Sequence, residues 1–154
     1  MRKLVLAFTA LALSTAPARA DVGLGVILGE PTALDLKLGF DRRSALDLAF
    51  GVDRLWDAYG YYFHATYLAT IAVARGNAVD VPVRIGIGGA LFWDDTHFDG
   101  FAAGVRAPIE LALRFRRAPV EIYGELALLL VFVDPAANPP YLQGQGGIGL
   151  RVYF

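Results

Sequence analysis

GIGLRVYF, residues 147–154, alternates without a break: Ile148, Leu150, Val152 and Phe154 share one parity, and Gly147, Gly149 and Arg151 the other. Successive side chains of a strand point to opposite faces, so this stretch has one oily face and one small or charged face. The pattern runs to the last residue, where soluble domains usually fray and carry polar side chains. A strand whose apolar face continues to an aromatic end sets the question for the rest of the chain.

Seven earlier segments repeat the alternation, separated by turn residues. They are 22–28, 32–40, 44–52, 60–73, 81–92, 101–115 and 120–133, and the eighth is 142–154. In the second, Leu34, Leu36, Leu38 and Phe40 oppose Asp35, Lys37 and Gly39; in the sixth, Val105, Ile109, Leu111 and Leu113 oppose Arg106, Glu110 and Arg114. The connections alternate in length, short at 41–43, 75–79 and 116–119 and longer at 53–59, 93–100 and 134–141. An even number of strands lets an up-and-down barrel close with both ends on one side.

The composition points the same way. Hydrophobic residues make up 56% of the chain and the mean hydropathy is +0.47. Yet the most apolar stretch beyond the first twenty residues, 58–74, holds four tyrosines, two threonines and His64, and it alternates. The first twenty residues carry Arg2 and Lys3, an apolar run 4–13 and Ala18-Arg19-Ala20, the three marks of a secretory signal peptide cleaved before Asp21. Residues 21–154 then form one domain with a formal charge of −4, because Arg2, Lys3 and Arg19 fall in the leader. No basic excess invites nucleic acid, and there is no cysteine to form the disulfides common in exported proteins. An exported chain with oil spread over strands is expected to be an all-β, eight-stranded antiparallel up-and-down transmembrane barrel.

A soluble lipocalin-like barrel would show the same alternation with the faces reversed. Aromatic residues favour the membrane, gathering at the short-turn end (Phe40, Phe115, Phe154) and the long-loop end (Trp56, Tyr59, Tyr61, Trp93, Phe98, Phe101, Tyr141) like two interfacial girdles. The C-terminal Phe154, with Val152 and Leu150 before it, resembles the terminal signature of bacterial outer-membrane proteins. That resemblance implies recognition of these residues by the barrel-assembly machinery. The whole of 21–154 is similar to small eight-stranded barrels of the OmpA/OmpX type. GLGVILGEPTALDLKL and GLRVYF are similar to a family of uncharacterised small outer-membrane β-barrel proteins that open with a GxPT turn. The resemblance implies the outer membrane of a Gram-negative bacterium, contact with its lipid, and a monomer. The first hairpin connection is shorter than in the best-known OmpA-type barrels, which argues against adhesion by a long first loop.

The inward parity should carry Asp35, Asp47, Glu110, Glu121 and Glu125 against Lys37, Arg84, Arg106, Arg114 and Arg151, an ion-pair network closing the lumen. A two-residue turn at 117–118 pairs residues whose numbers sum to 235, setting Arg114 opposite Glu121 and Glu110 opposite Glu125; a three-residue turn at 41–43 sets Lys37 opposite Asp47. The like-charge pair needs Arg84 or Arg106 between its members, or a shared proton. Toward the long-loop end the inward parity becomes apolar, with Ile27, Tyr62, His64, Phe92, Leu129 and Val131. This is either a packed cap or a pocket for a lipid or small apolar ligand. Pro108 falls mid-strand, where a bulge or break is expected.

Other motifs do not carry chemistry. Gly144-Gln145-Gly146-Gly147-Ile148-Gly149 spells GxGxxG, but no helix can follow it, so the glycines are read as relieving crowding in a narrow barrel. An EF-hand counted from Asp95 puts Arg106 where a bidentate Glu is needed. Asp53, Asp57, Asp94, Asp95, Asp99 and Asp134 are read as a solvated acidic rim. Ser44, the single serine of 21–154, lies at the opposite end from His64 and His97, which excludes a serine-hydrolase triad. No catalytic group, cofactor site or metal site is expected, and the function read from the sequence is structural or surface interaction.

Overall fold

A computed structural model describes residues 21–52, 60–93, 101–135 and 137–154. The expected signal peptide lies outside these residues, as do Asp53, Arg54, Trp56, Asp57, Tyr59, Asp94, Asp95, His97, Phe98 and Asp99. Eight strands follow in chain order: β1 (Val22–Glu30), β2 (Thr32–Gly39), β3 (Ser44–Val52), β4 (Tyr61–Arg75), β5 (Val79–Trp93), β6 (Phe101–Phe115), β7 (Val120–Val133) and β8 (Tyr141–Tyr153). Each pairs antiparallel with its neighbour, and β1 pairs with β8 from Gly23↔Tyr153 to Glu30↔Gly146, closing the barrel. Closure removes every open sheet edge along the paired length.

Local chemistry sets the tight connections. At the GEPT turn, Thr32 Oγ1 donates to Gly29 O at 2.9 Å and accepts from Gly29 N at 3.2 Å, so one hydroxyl closes the β1–β2 hairpin. At the β2–β3 turn, Asp41 Oδ1 accepts from the backbone N–H groups of Arg43 (2.6 Å) and Ser44 (2.8 Å), and Oδ2 accepts from Ser44 Oγ (2.7 Å). These bonds, the Ser44 hydroxyl foremost, hold the Asp41 carboxyl below its ordinary range. Ser44, the first residue of β3, thereby gives its hydroxyl to the turn.

The registers follow the turns. Residues of β6 and β7 pair as Arg114↔Glu121 and Glu110↔Glu125, and β2 and β3 as Lys37↔Asp47. The β4–β5 turn is tighter than the sequence indicates, with Arg75↔Asp80 still paired and Gly76 N donating to Val79 O at 2.9 Å.

Pro108 does not sit in a bulge. The β6–β7 register runs unbroken through Pro108↔Ala127, while on the β5 side the pairs at Gly86 and Ile87 are missing, with the register unchanged from Ile85↔Ile109 to Gly88↔Arg106. The missing proline N–H therefore costs the ladder a short gap on one side only. Gly86 makes room there, since a Cβ on it would lie 2.7 Å from Tyr67 O and 3.0 Å from Pro108 Cγ. The register shifts fall elsewhere, between Thr70 and Ala72 and between Ala103 and Gly104.

The faces are turned inside out relative to a soluble barrel. Leu126 is 68% and Ile148 67% exposed, whereas Arg106, Glu110, Glu121 and Arg151 are fully buried. Leu34, Phe50, Ile87, Leu142 and other large apolar side chains complete the exterior. A lipocalin-like arrangement would place these side chains within.

Candidate functional site

The lumen contains the charged groups, and Arg151 is its hub. From β8 its Nε donates to Asp35 Oδ2 (2.6 Å), Nη2 to Asp47 Oδ1 (2.9 Å), and Nη1 to Glu110 Oε2 (2.7 Å) and Glu121 Oε1 (3.2 Å). Its guanidinium carbon also lies 3.6 Å from the centre of the Tyr123 ring. One planar cation thus ties β2, β3, β6, β7 and β8 together, using the fixed fork of donors that a lysine lacks.

Arg84 of β5 completes the group, donating to Glu110 and, through Nη1 (3.0 Å) and Nη2 (2.7 Å), to both oxygens of Glu121. The Lys37 ammonium sits 3.5 Å from Glu110 Oε1 and 3.6 Å from Glu121 Oε1. Lys37 and Asp47 are therefore ladder neighbours but not ion partners: the lumen is narrow enough for Lys37 to reach β6 and β7 across it. Glu110 and Glu125 share no proton-bridging contact. Glu110 is held by Arg84, Arg151 and Lys37, and Glu125 by Arg106.

Arg106 forms the second centre. It donates through Nη2 to Glu125 and through Nη1 to Thr66 Oγ1 (3.1 Å), and Nη1 also lies 3.1 Å from His64 Nε2. His64 Nε2 is 3.2 Å from Asp47 Oδ2, and Nδ1 is 3.2 Å from the Tyr62 hydroxyl, which donates to Gln145 Oε1 at 3.1 Å.

Two expected placements change. Arg114 lies opposite Glu121 in the ladder but is only half-buried; it pairs with Asp21 at 2.9 Å and lies over the Tyr153 ring at the rim. The sealed part of the lumen holds the other nine members of the expected network, joined by His64. The six residues of the expected apolar pocket also separate. Tyr62, Leu129 and Val131 are buried in one cluster with Ala90 and Ala102, and Phe92 and Tyr141 pack against it. Ile27 belongs to another cluster around Tyr123, and His64 to the polar network.

Four polar side chains of the lumen were not picked out from the sequence as site residues: Thr66, Tyr123, Gln145 and Tyr153. Tyr123 donates to Asp35, and Tyr153 donates to Glu121 Oε1 at 2.9 Å. Their signal was parity, since Tyr153 shares a face with Arg151 and Tyr123 with Glu121 and Glu125. In the GxGxxG run only Gly147 and Gly149 face inward and relieve crowding: a Cβ on Gly149 would lie 2.2 Å from Tyr123 Cζ, and one on Gly147 would meet Ile27 Cγ1 at 2.8 Å. Gly144 has open space around it. On the outside, Leu150 and Phe154 are exposed and Val152 is half-buried.

Exposed aromatics occupy both ends. Tyr61↔Trp93 and Trp93↔Phe101 pair side by side at the long-loop end, and Phe40, Phe115 and Phe154 are exposed at the other.

No family model matches the chain, and no curated protein does. The barrel is similar to the crystal structure of the N-terminal β-barrel domain of Pseudomonas aeruginosa OprF, with a TM-score of 0.60 and 11% sequence identity over 88% of this chain and 96% of that one. At that identity the likeness concerns the fold alone, a closed eight-stranded antiparallel barrel.

Proposed function

We propose that this protein is an outer-membrane barrel of a Gram-negative bacterium with a structural or surface-interaction role, exported by a cleaved signal peptide. Its lumen is a plug of ion pairs rather than a channel or a catalytic site, and it acts as a monomer surrounded by lipid. The observation that carries the reading is the inversion of polarity, with exposed leucines, isoleucines and aromatics outside and buried ion pairs inside. In water such an exterior is an aggregation liability, whereas in a bilayer it is the solvated face. The resemblance of the last strand to the terminal signature of outer-membrane proteins supports the assembly machinery as the partner that reads Leu150, Val152 and Phe154.

The reading is tested by fractionating cells and comparing gel mobility before and after boiling, with Leu126→Arg beside the native chain. The native protein should be found in the outer membrane and migrate differently when unheated. Arginine at Leu126, midway along β7 on the outer face, should cost about 2–4 kcal/mol of folding into lipid, as charge on a lipid face does. Detergent-free recovery from the periplasm, or an unaffected variant, would overturn the membrane placement.

A further inference from the structure

The charges of residues 21–154 sort by height in the barrel. The end with the short turns carries Arg42, Arg43, Arg75, Arg114, Arg116 and Arg117 against Asp21, Asp41 and Asp80, a formal charge of +3. The connections 53–59 and 94–100, which join strands at the other end, carry five aspartates and one arginine. Backbone hydrogen bonds gather the short turns and their flanking residues into one rim. Thr70 N donates to Arg43 O (2.6 Å), Arg116 N to Ala78 O (3.0 Å), Tyr153 N to Pro119 O (2.8 Å) and Gly39 N to Asp21 O (2.9 Å).

The three side-chain carboxylates of the rim are already engaged. Asp41 is taken up by its own turn, Asp21 pairs with Arg114 at 2.9 Å, and Asp80 lies 3.8 Å from Arg116 Nε. Arg42, Arg43, Arg75 and Arg117 are exposed, and none has a carboxylate within 4.0 Å among the described residues. Beside them the apolar exterior ends in exposed Phe40, Phe115 and Phe154. A cleft of about 560 Å³ opens at the β6–β7 turn, lined in part by Arg114, Arg116, Arg117, Tyr153 and Phe154. Four uncommitted guanidinium groups next to the edge of an apolar belt match a surface where phosphates begin as acyl chains end. A guanidinium fork fits phosphate oxygens, and each basic residue at an anionic leaflet is worth roughly fivefold in affinity.

Resting on the membrane reading above, we infer that this arginine rim binds the phosphate headgroups of an anionic phospholipid leaflet. The rim then marks which end of the barrel faces that leaflet.

The test folds the full-length mature chain into vesicles of phosphatidylcholine, with and without phosphatidylglycerol, and follows the midpoint of heat unfolding by gel mobility. Three proteins are compared: the native chain, a quadruple variant with Arg42, Arg43, Arg75 and Arg117 each changed to Gln, and the same four changed to Lys. The native midpoint should be higher with phosphatidylglycerol; the Gln variant should lose most of that increment while still folding in phosphatidylcholine, and the Lys variant should keep the larger part. Added salt should erode the increment, since the Debye length is about 8 Å at physiological ionic strength. An equal increment in the Gln variant overturns the inference. So does a matching rise on adding inorganic phosphate to phosphatidylcholine vesicles, which would make the rim a general anion site. Folding into both lipids without discrimination overturns the rim alone, whereas failure to fold into either overturns the membrane reading and the rim with it.

Discussion

Arg151 and Arg114 are both arginines on inward parity, yet their surroundings set very different energetic roles. Arg151 is fully buried and holds Asp35, Asp47, Glu110 and Glu121; Arg114 is half-exposed and holds Asp21. Removing one member of a buried pair leaves an uncompensated charge, costing about 3–5 kcal/mol, whereas an exposed pair contributes about 0–1 kcal/mol. Arg151→Met is therefore expected to lower the unfolding midpoint in detergent steeply, or to prevent folding, and Arg114→Gln to leave it almost unchanged. Unfolding by urea, followed through the gel-mobility shift, measures both, and equal effects would show that the hub is not the organising cation.

At the scale of the element, strands β7 and β8 meet through a glycine rather than a matched pair of side chains. Tyr123 lies across Gly149, its hydroxyl donates to Asp35 and its ring carries the Arg151 guanidinium. The ring cannot retreat without breaking those contacts, so a methyl group at Gly149 forces a rearrangement. Gly149→Ala should cost about 1–3 kcal/mol, the usual range for overpacking. In the Tyr123→Leu background the same change should cost much less, since the two positions share one space. Thermal unfolding of the four proteins of this cycle checks it, and additive effects would sink the packing account. The β5–β6 pair solves a related problem, with Gly86 leaving the space that the Pro108 ring and a shortened ladder require.

For the whole molecule, the proposed consequence of the network is closure. Eight strands leave an interior just wide enough for side chains. Here buried ion pairs lie in that interior, with the buried cluster of Tyr62, Leu129 and Val131 beside them. Planar-bilayer recordings of the folded protein should show no large, steady ohmic conductance. Sustained porin-sized channels in the native protein would contradict a plug, while their appearance only when Arg151 or Arg106 is replaced would support it.

The sequence by itself determined the strands, their number, the oily outer face and the registers at two of the three short turns. These follow from a period of two, from turn residues and from turn length, all of which are local. β3, β6 and β7 begin and end where alternation places them, and Arg114↔Glu121 and Lys37↔Asp47 follow from counting across the turns. The partnership of the charges was not legible in this way. Lys37 passes over its ladder neighbour to reach Glu110 and Glu121, Arg114 leaves the network for Asp21, and His64 joins it from a stretch that reads as apolar. Only the tertiary structure decided these, because closing the barrel brings opposite walls within reach of a single long side chain. Each cation then settles where several carboxylates converge, a meeting point set by strands far apart in the chain.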